Sequence, residues 1–135
     1  MKSVVDTCIW SEAFRKTKTS APNPLAQRLL SLADKDEAML IGPVRQEVLS
    51  GIREESRMRW LQGLLRAFPD IPLLTEDYEA AAEAYTKCRA SGIQASNTDF
   101  LICAFSIRVK AAIFTTDKDF HHISKVIPIQ LLTLN

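Results

Sequence analysis

Cysteine, glycine, charge bias and long apolar runs are all scarce in this 135-residue chain, and each shortage removes a class of function. The three cysteines, Cys8, Cys88 and Cys103, are odd in number, far apart and in no Cys-x-x-Cys arrangement. That argues against a disulfide framework or a thiolate zinc site and fits a reducing compartment. None of the four glycines belongs to a Gly-x-x-x-x-Gly-Lys-Ser/Thr loop, so nothing supports P-loop chemistry. Seventeen basic and sixteen acidic side chains leave a net charge of +1, so only a local patch could speak for nucleic acid. The longest apolar run, Phe100 to Phe105, is far too short to span a membrane. The start of the chain has Lys2 but only the apolar pair Val4-Val5 before Asp6, which is too little for a signal peptide. The expectation is a single cytoplasmic domain over 1–135, long enough for a substantial core.

What is present is alternation. Val4 and Val5 favour a strand, while Ile9, Trp10, Ala13 and Phe14 fall at helical spacing, so Asp6 stands at a strand-to-helix seam. After a polar connection, Asn23-Pro24 opens a helix with Leu25, Leu29 and Leu32 on one face. "AMLIG" (38–42) reads as a strand, followed by a helix from Pro43. Met58, Leu61, Leu65 and Phe68 mark a further helix, and "IPLL" (71–74) reads as a strand with Thr75 capping the next helix. That helix carries Tyr78, Ala81, Ala82, Tyr85 and Cys88 at core spacing and stops at Gly92. A nearly all-apolar helix from Ser96 to about Val109 should be buried. "AAIFTTD" (111–117) and "IPIQLL" (127–132) read as the last strands. Strands alternating with helices predict an α/β fold with a mainly parallel sheet of about five strands flanked by helices.

Ligands of open parallel sheets bind beyond the carboxyl ends of the strands, and acidic residues gather there. Asp6 follows the first strand, and Asp117 and Asp119 follow "AIFTT". Glu47 lies one turn into the helix after "AMLIG", and Asp99 opens the buried helix. Each has an ordinary explanation. Asp6 and Asp117 suit helix N-caps, Ser96-x-x-Asp99 resembles a capping box, Asp119 suits a first helical turn, and Glu47 suits a solvated helix face. Two details pull the other way. Val44, Glu47, Val48 and Gly51 follow i, i+3, i+4, i+7, which aims Glu47 at the sheet, where an unpaired carboxylate is costly. Asp99 begins a helix with almost no solvent face. Four carboxylates meeting at one end of a sheet would repel each other and resist ionisation unless a hard cation offset the charge. Such a centre suits phosphodiester hydrolysis, where a metal polarises the phosphoryl oxygen and acidifies water.

"VVDTCIW", "IGPVRQEVLSG", "SNTDFLICAF" and "IFTTDKDF" resemble, in order and spacing, the motifs of PIN-domain ribonucleases, with VapC-type toxins of type II toxin–antitoxin pairs the nearest in appearance. The resemblance runs from Asp6 to Phe120. It implies a three-layer PIN-like fold and an endoribonuclease dependent on Mg²⁺ or Mn²⁺. Asp6, Glu47, Asp99 and Asp117 would be its catalytic acids. Asp6, Asp99, Asp117 and Asp119 would be its metal ligands, with Glu47 acting through water and Asp117 against Asp119 left open. Thr115 matches a polar position near the scissile phosphate. The family also implies an RNA substrate, an antitoxin partner and a homodimer. Cys8 departs from the Ser or Asn of many relatives and is read as a small packed hydrophobe.

Arg53 and Arg57, with Arg59 and Arg66, concentrate positive charge suited to RNA phosphates, although Glu54 and Glu55 interrupt it. Arg15, Lys16 and Lys18 offer a second basic lip. Two other classes compete with a nuclease. A receiver-like Mg²⁺ phosphoacceptor also gathers aspartates at strand ends, but wants paired acids after its first strand, and here Asp6 is alone. A non-catalytic RNA- or protein-binding module would keep the fold without the cleavage.

Overall fold

The computed structural model describes residues 1–15 and 23–133. Lys16 and Lys18, two thirds of the second basic lip, lie outside that range. The described elements run β1 (Ser3–Val5), α1 (Thr7–Ala13), α2 (Pro24–Asp34), β2 (Ala38–Met39), α3 (Gly42–Ser50), α4 (Glu55–Leu65), α5 (Thr75–Ala90), α6 (Asn97–Val109), β3 (Ala112–Phe114) and α7 (Asp119–Ile123).

The sheet is wholly parallel, in the order β2-β1-β3. Val4 pairs with Met39 on one side and with Ile113 on the other. The chain therefore leaves β1 toward one flank and returns for β3 on the other, which makes the carboxyl end of β1 the switch point where such sheets bind ligands. β1 and β3 are fully buried, as their unbroken apolar character requires for strands covered on both faces. Helices flank the sheet in two packed groups, α1 with α2 and α3, and α5 with α6, with α6 against both β1 and β3. The α6 residues Phe100, Ile102, Cys103 and Phe105 are essentially inaccessible, as the apolar run from 100 to 105 predicts.

The sheet is smaller than the five strands expected. Among the described residues "IPLL" (71–74) forms no strand; its Ile71 N–H donates to the carbonyl of Leu40, the residue after β2. "IPIQLL" contributes an isolated bridge between Leu131 and Ile113 rather than a strand. Pro72 and Pro128 interrupt both segments, and a proline cannot donate to a ladder.

Local corrections follow from packing. α4 ends at Leu65, before Phe68. Thr75 is not the cap of α5: Leu74 holds that position, and the Asp77 carboxylate accepts its N–H at 2.9 Å. Tyr78 and Tyr85, expected in the core, are 54% and 39% exposed: α5 buries the stripe of Asp77, Ala81, Ala84 and Cys88, and Tyr85 meets α6 only edge-on, at the Phe100 ring. Gly92 has φ +76°, a conformation glycine adopts freely, and it terminates α5 as expected.

Candidate metal centre

Four elements deliver the acids. Asp6 is fixed twice by the backbone: its N–H extends the ladder to the Phe114 carbonyl at 3.0 Å, and its Oδ1 accepts the Thr7 N–H at 2.7 Å as the N-cap of α1. Oδ2 accepts the Thr115 hydroxyl at 2.7 Å and lies 3.3 Å from the Cys8 thiol. Capping thus consumes part of Asp6 without turning it away from the sheet end. Asp99 and Ser96 form the reciprocal box the sequence predicts: Ser96 Oγ accepts the Asp99 N–H, and Asp99 Oδ2 accepts the Ser96 N–H, both at 3.1 Å.

After β3 the chain turns sharply. Thr115 Oγ1 accepts the Asp117 N–H at 3.0 Å, and Asp117 Oδ1 accepts the Asp119 N–H at 2.9 Å. Asp117 is therefore not the cap of α7, a place taken by Lys118. The turn is held from below by Phe120, which is fully buried.

Asp99, Asp117 and Asp119 each bring a carboxylate oxygen to within 4.8 Å of the others. The charge of Asp6 reaches the same point, since Asp6 and Asp117 both oppose ionisation of Asp99. Burial is the larger cause, and together these push the Asp99 carboxyl up to about 6 despite its bonds to Ser96. Burial also raises Asp6 above the usual carboxylate range, against the lowering effect of its bonds to Thr115, Cys8 and Thr7, and Asp117 adds to the rise. Burial, with the charge of Asp99, pushes the Cys103 thiol up.

Glu47 departs from expectation. It is exposed rather than aimed at the sheet, because Val44 and Val48 alone occupy that face of α3. Its Oε1 accepts the Thr7 hydroxyl at 2.7 Å, which ties α3 to the start of α1. Thr7, which no sequence motif marks as functional, contacts both Asp6 and Glu47. The only sequence signal was a hydroxyl residue directly after the acid, at the first position of a helix. Cys8 is likewise more than a packed hydrophobe: its Sγ stands 3.6 Å from Thr115 Oγ1 and 3.5 Å from Thr116 Oγ1, as well as beside Asp6.

Of the basic residues, Arg53 is exposed. Arg57 donates to the Phe14 carbonyl and lies 4.6 Å above the Trp60 ring, at the edge of a groove of about 360 Å³ between α1, α3 and α4. His121 and His122, both exposed, sit in the last turn of α7 outside the carboxylate cluster.

The donor set fits a hard divalent cation. It is all oxygen, its three carboxylates converge, and it lies beside the buried Asp6. Fold and centre together define a parallel-sheet α/β domain with an acidic cluster at the strand ends. The PIN domain family matches residues 3–126. A VapC ribonuclease of Mycobacterium bovis and Ribonuclease VapC11 of Mycobacterium tuberculosis are each 33% identical over 132 residues, covering 94% of this chain and 95% of theirs. The chain belongs to the PIN-domain family, in its VapC-type branch. Solved structures with the same fold include VapBC2 from Rickettsia felis bound to a promoter DNA fragment (TM-score 0.76, 18% identity, all of both chains). FitAcB from Neisseria gonorrhoeae is also similar (TM-score 0.74, 19% identity, 96% of each chain). Among the described residues no helix is long and apolar enough to cross a membrane.

Proposed function

We propose that this protein is an endoribonuclease dependent on Mg²⁺ or Mn²⁺, the toxin of a type II toxin–antitoxin pair acting in the cytoplasm. The observation that carries the reading is the meeting of the Asp99, Asp117 and Asp119 oxygens beside Asp6 at the switch point of the sheet. Asp6, Asp99, Asp117 and Asp119 hold the ion, and Glu47 reaches it through water. When bound, the ion neutralises phosphate charge and supplies an acidified water for phosphodiester hydrolysis. The protein's own part is to fix the carboxylates, through the Thr7 N–H, the Thr115 hydroxyl and the Ser96 box, and to keep them partly desolvated. Arg53 and Arg57 offer the RNA backbone a cationic edge.

The name of its 33%-identical relative, ribonuclease, supports the activity, and the solved VapBC structure with the same fold supports an antitoxin partner. A homodimer completes the proposal. The exposed Tyr78 and Tyr85 lie on a helix with Glu76 in its first turn and Lys87 and Arg89 in its last. Two copies of α5 packed antiparallel would set opposite charges against each other. Light scattering of wild type and Tyr85→Glu tests this, a monomeric wild type being the adverse result.

The direct test of activity incubates wild type and Asp99→Asn with a total small-RNA pool, in Mn²⁺ or Mg²⁺ and in EDTA. Discrete products from wild type alone, abolished by EDTA, are expected. Equal cleavage by Asp99→Asn would remove Asp99 from the site. A wild type that neither cleaves nor binds Mn²⁺ would favour a non-catalytic binding module.

A further inference from the structure

We infer that Thr7 is a positioning residue which, through one side chain and one amide, couples Glu47 to Asp6 and so determines how tightly the centre holds its cation. The inference rests on the metal-site reading above. Its basis is geometric. Thr7 is the first residue of α1, and its N–H is committed to Asp6 Oδ1 at 2.7 Å. That bond fixes where the residue sits relative to the acid. Its hydroxyl then donates outward to Glu47 Oε1 at 2.7 Å.

Glu47 needs such a tether. It is exposed on α3, so packing does not choose its rotamer, and a glutamate free in water loses substantial side-chain entropy when it is held in one pose. The other acids have their own devices: a ladder bond and cap for Asp6, the Ser96 box for Asp99, and the turn after Thr115 for Asp117. The Thr7 hydroxyl donates to Oε1 of Glu47 and does not occupy its second oxygen, Oε2. Mutating a partner that orients a metal-binding acid typically costs about ten- to a hundredfold in metal affinity.

An ordinary surface contact between a threonine and a glutamate would have no such consequence, and the two cases separate by experiment. Mn²⁺ binding to the full chain is titrated by calorimetry for wild type, Thr7→Val, Thr7→Ser, Glu47→Ala and the Thr7→Val/Glu47→Ala double variant. Thermal unfolding in EDTA confirms that each is folded. Thr7→Val is close to threonine in shape and lacks only the donor, so it should weaken Mn²⁺ about tenfold. Thr7→Ser should bind as wild type does, and Thr7→Val should add nothing once Glu47 is alanine. Wild-type affinity in Thr7→Val, or an undiminished loss in the Glu47→Ala background, overturns the coupling while leaving the metal site intact. A wild type that binds no Mn²⁺ overturns the metal-site reading and the coupling with it.

Discussion

Thr115 and Asp6, 109 positions apart in sequence, share a 2.7 Å hydrogen bond in which the Thr115 hydroxyl donates to Asp6 Oδ2. Thr115 Oγ1 in turn accepts the Asp117 N–H at 3.0 Å, so one threonine joins the acid after β1 to the acid after β3. With its proton given to Asp6, Thr115 is arranged to orient Asp6 and Asp117, two of the acids proposed to hold the cation. Thr115→Val should therefore weaken Mn²⁺ about tenfold or more, through a misplaced Asp6 and a higher carboxyl pKa. Thr115→Ser should restore binding. Mn²⁺ titration set beside the KM for RNA decides the matter. A raised KM with unchanged Mn²⁺ affinity would put Thr115 on the substrate instead.

The acids of the centre also predict a pH dependence for metal binding. Without metal, burial and the charges of Asp6 and Asp117 hold the Asp99 carboxyl at about 6. A cation binds the ionised form, so below that pH it must displace a proton and above it none. Mn²⁺ affinity should be level above pH 7 and fall by up to about tenfold per pH unit below 6. Calorimetry in buffers of different ionisation heat should show proton release at pH 6 and none at pH 8. An affinity flat from pH 5 to pH 8 would contradict this account of the site.

The same shift predicts that one of the proposed ligands, Asp99, can be replaced with a gain in stability. The Asp99 pKa is raised on folding, so the native state holds its proton through a range where the unfolded chain has lost it. Stability from this group is greatest below the ordinary value of 3.8 and declines as pH rises toward 6. Asp99→Asn keeps an oxygen for the Ser96 N–H and abolishes the buried charge. In EDTA at pH 7.5 it should be more stable to unfolding than wild type, by on the order of 1 to 3 kcal/mol. At pH 4 that advantage should shrink toward nothing. Mn²⁺ should raise the melting temperature of wild type and leave the variant unmoved.

How far the sequence reveals all this depends on the range of the interaction involved. The seam at Asp6 and the Ser96-x-x-Asp99 box are readable because each is settled within a few residues, by strand-to-helix periodicity and by reciprocal capping. The burial of α6 is readable too, since an apolar run has nowhere else to go. The orientation of Glu47 is not legible, because the period of α3 fixes a stripe but not its edges. Val44 and Val48 fill the sheet-facing side, and Glu47 falls just outside it. Tyr78 and Tyr85 failed for the same reason on α5, where small residues define the contact with α6. The bonds from Thr7 to Glu47 and from Thr115 to Asp6 span 40 and 109 residues, and no local pattern carries them.

The cap of α5 gives a prediction for a part of the fold remote from the metal. Asp77 is 1% exposed, accepts the Leu74 N–H at 2.9 Å, and is gripped by the Arg108 guanidinium at 2.7 and 2.9 Å. The hydrogen bond from Arg108 is the main reason its carboxyl lies below the ordinary range. A carboxyl lowered on folding contributes stability at neutral pH, and that stability is lost as pH falls below 3.8 toward the folded value. Asp77→Ala should therefore lower the urea stability at pH 7 by at least the ~1 kcal/mol of a lost helix cap. It should also flatten the acid limb of the stability curve. Arg108 lies nine residues beyond Asp99 on α6, about 13 Å along the helix axis, so Mn²⁺ affinity should be unchanged. A parallel loss of Mn²⁺ binding would mean that the α5–α6 tie sets the position of Asp99, and that the cap and the metal centre form one cooperative unit.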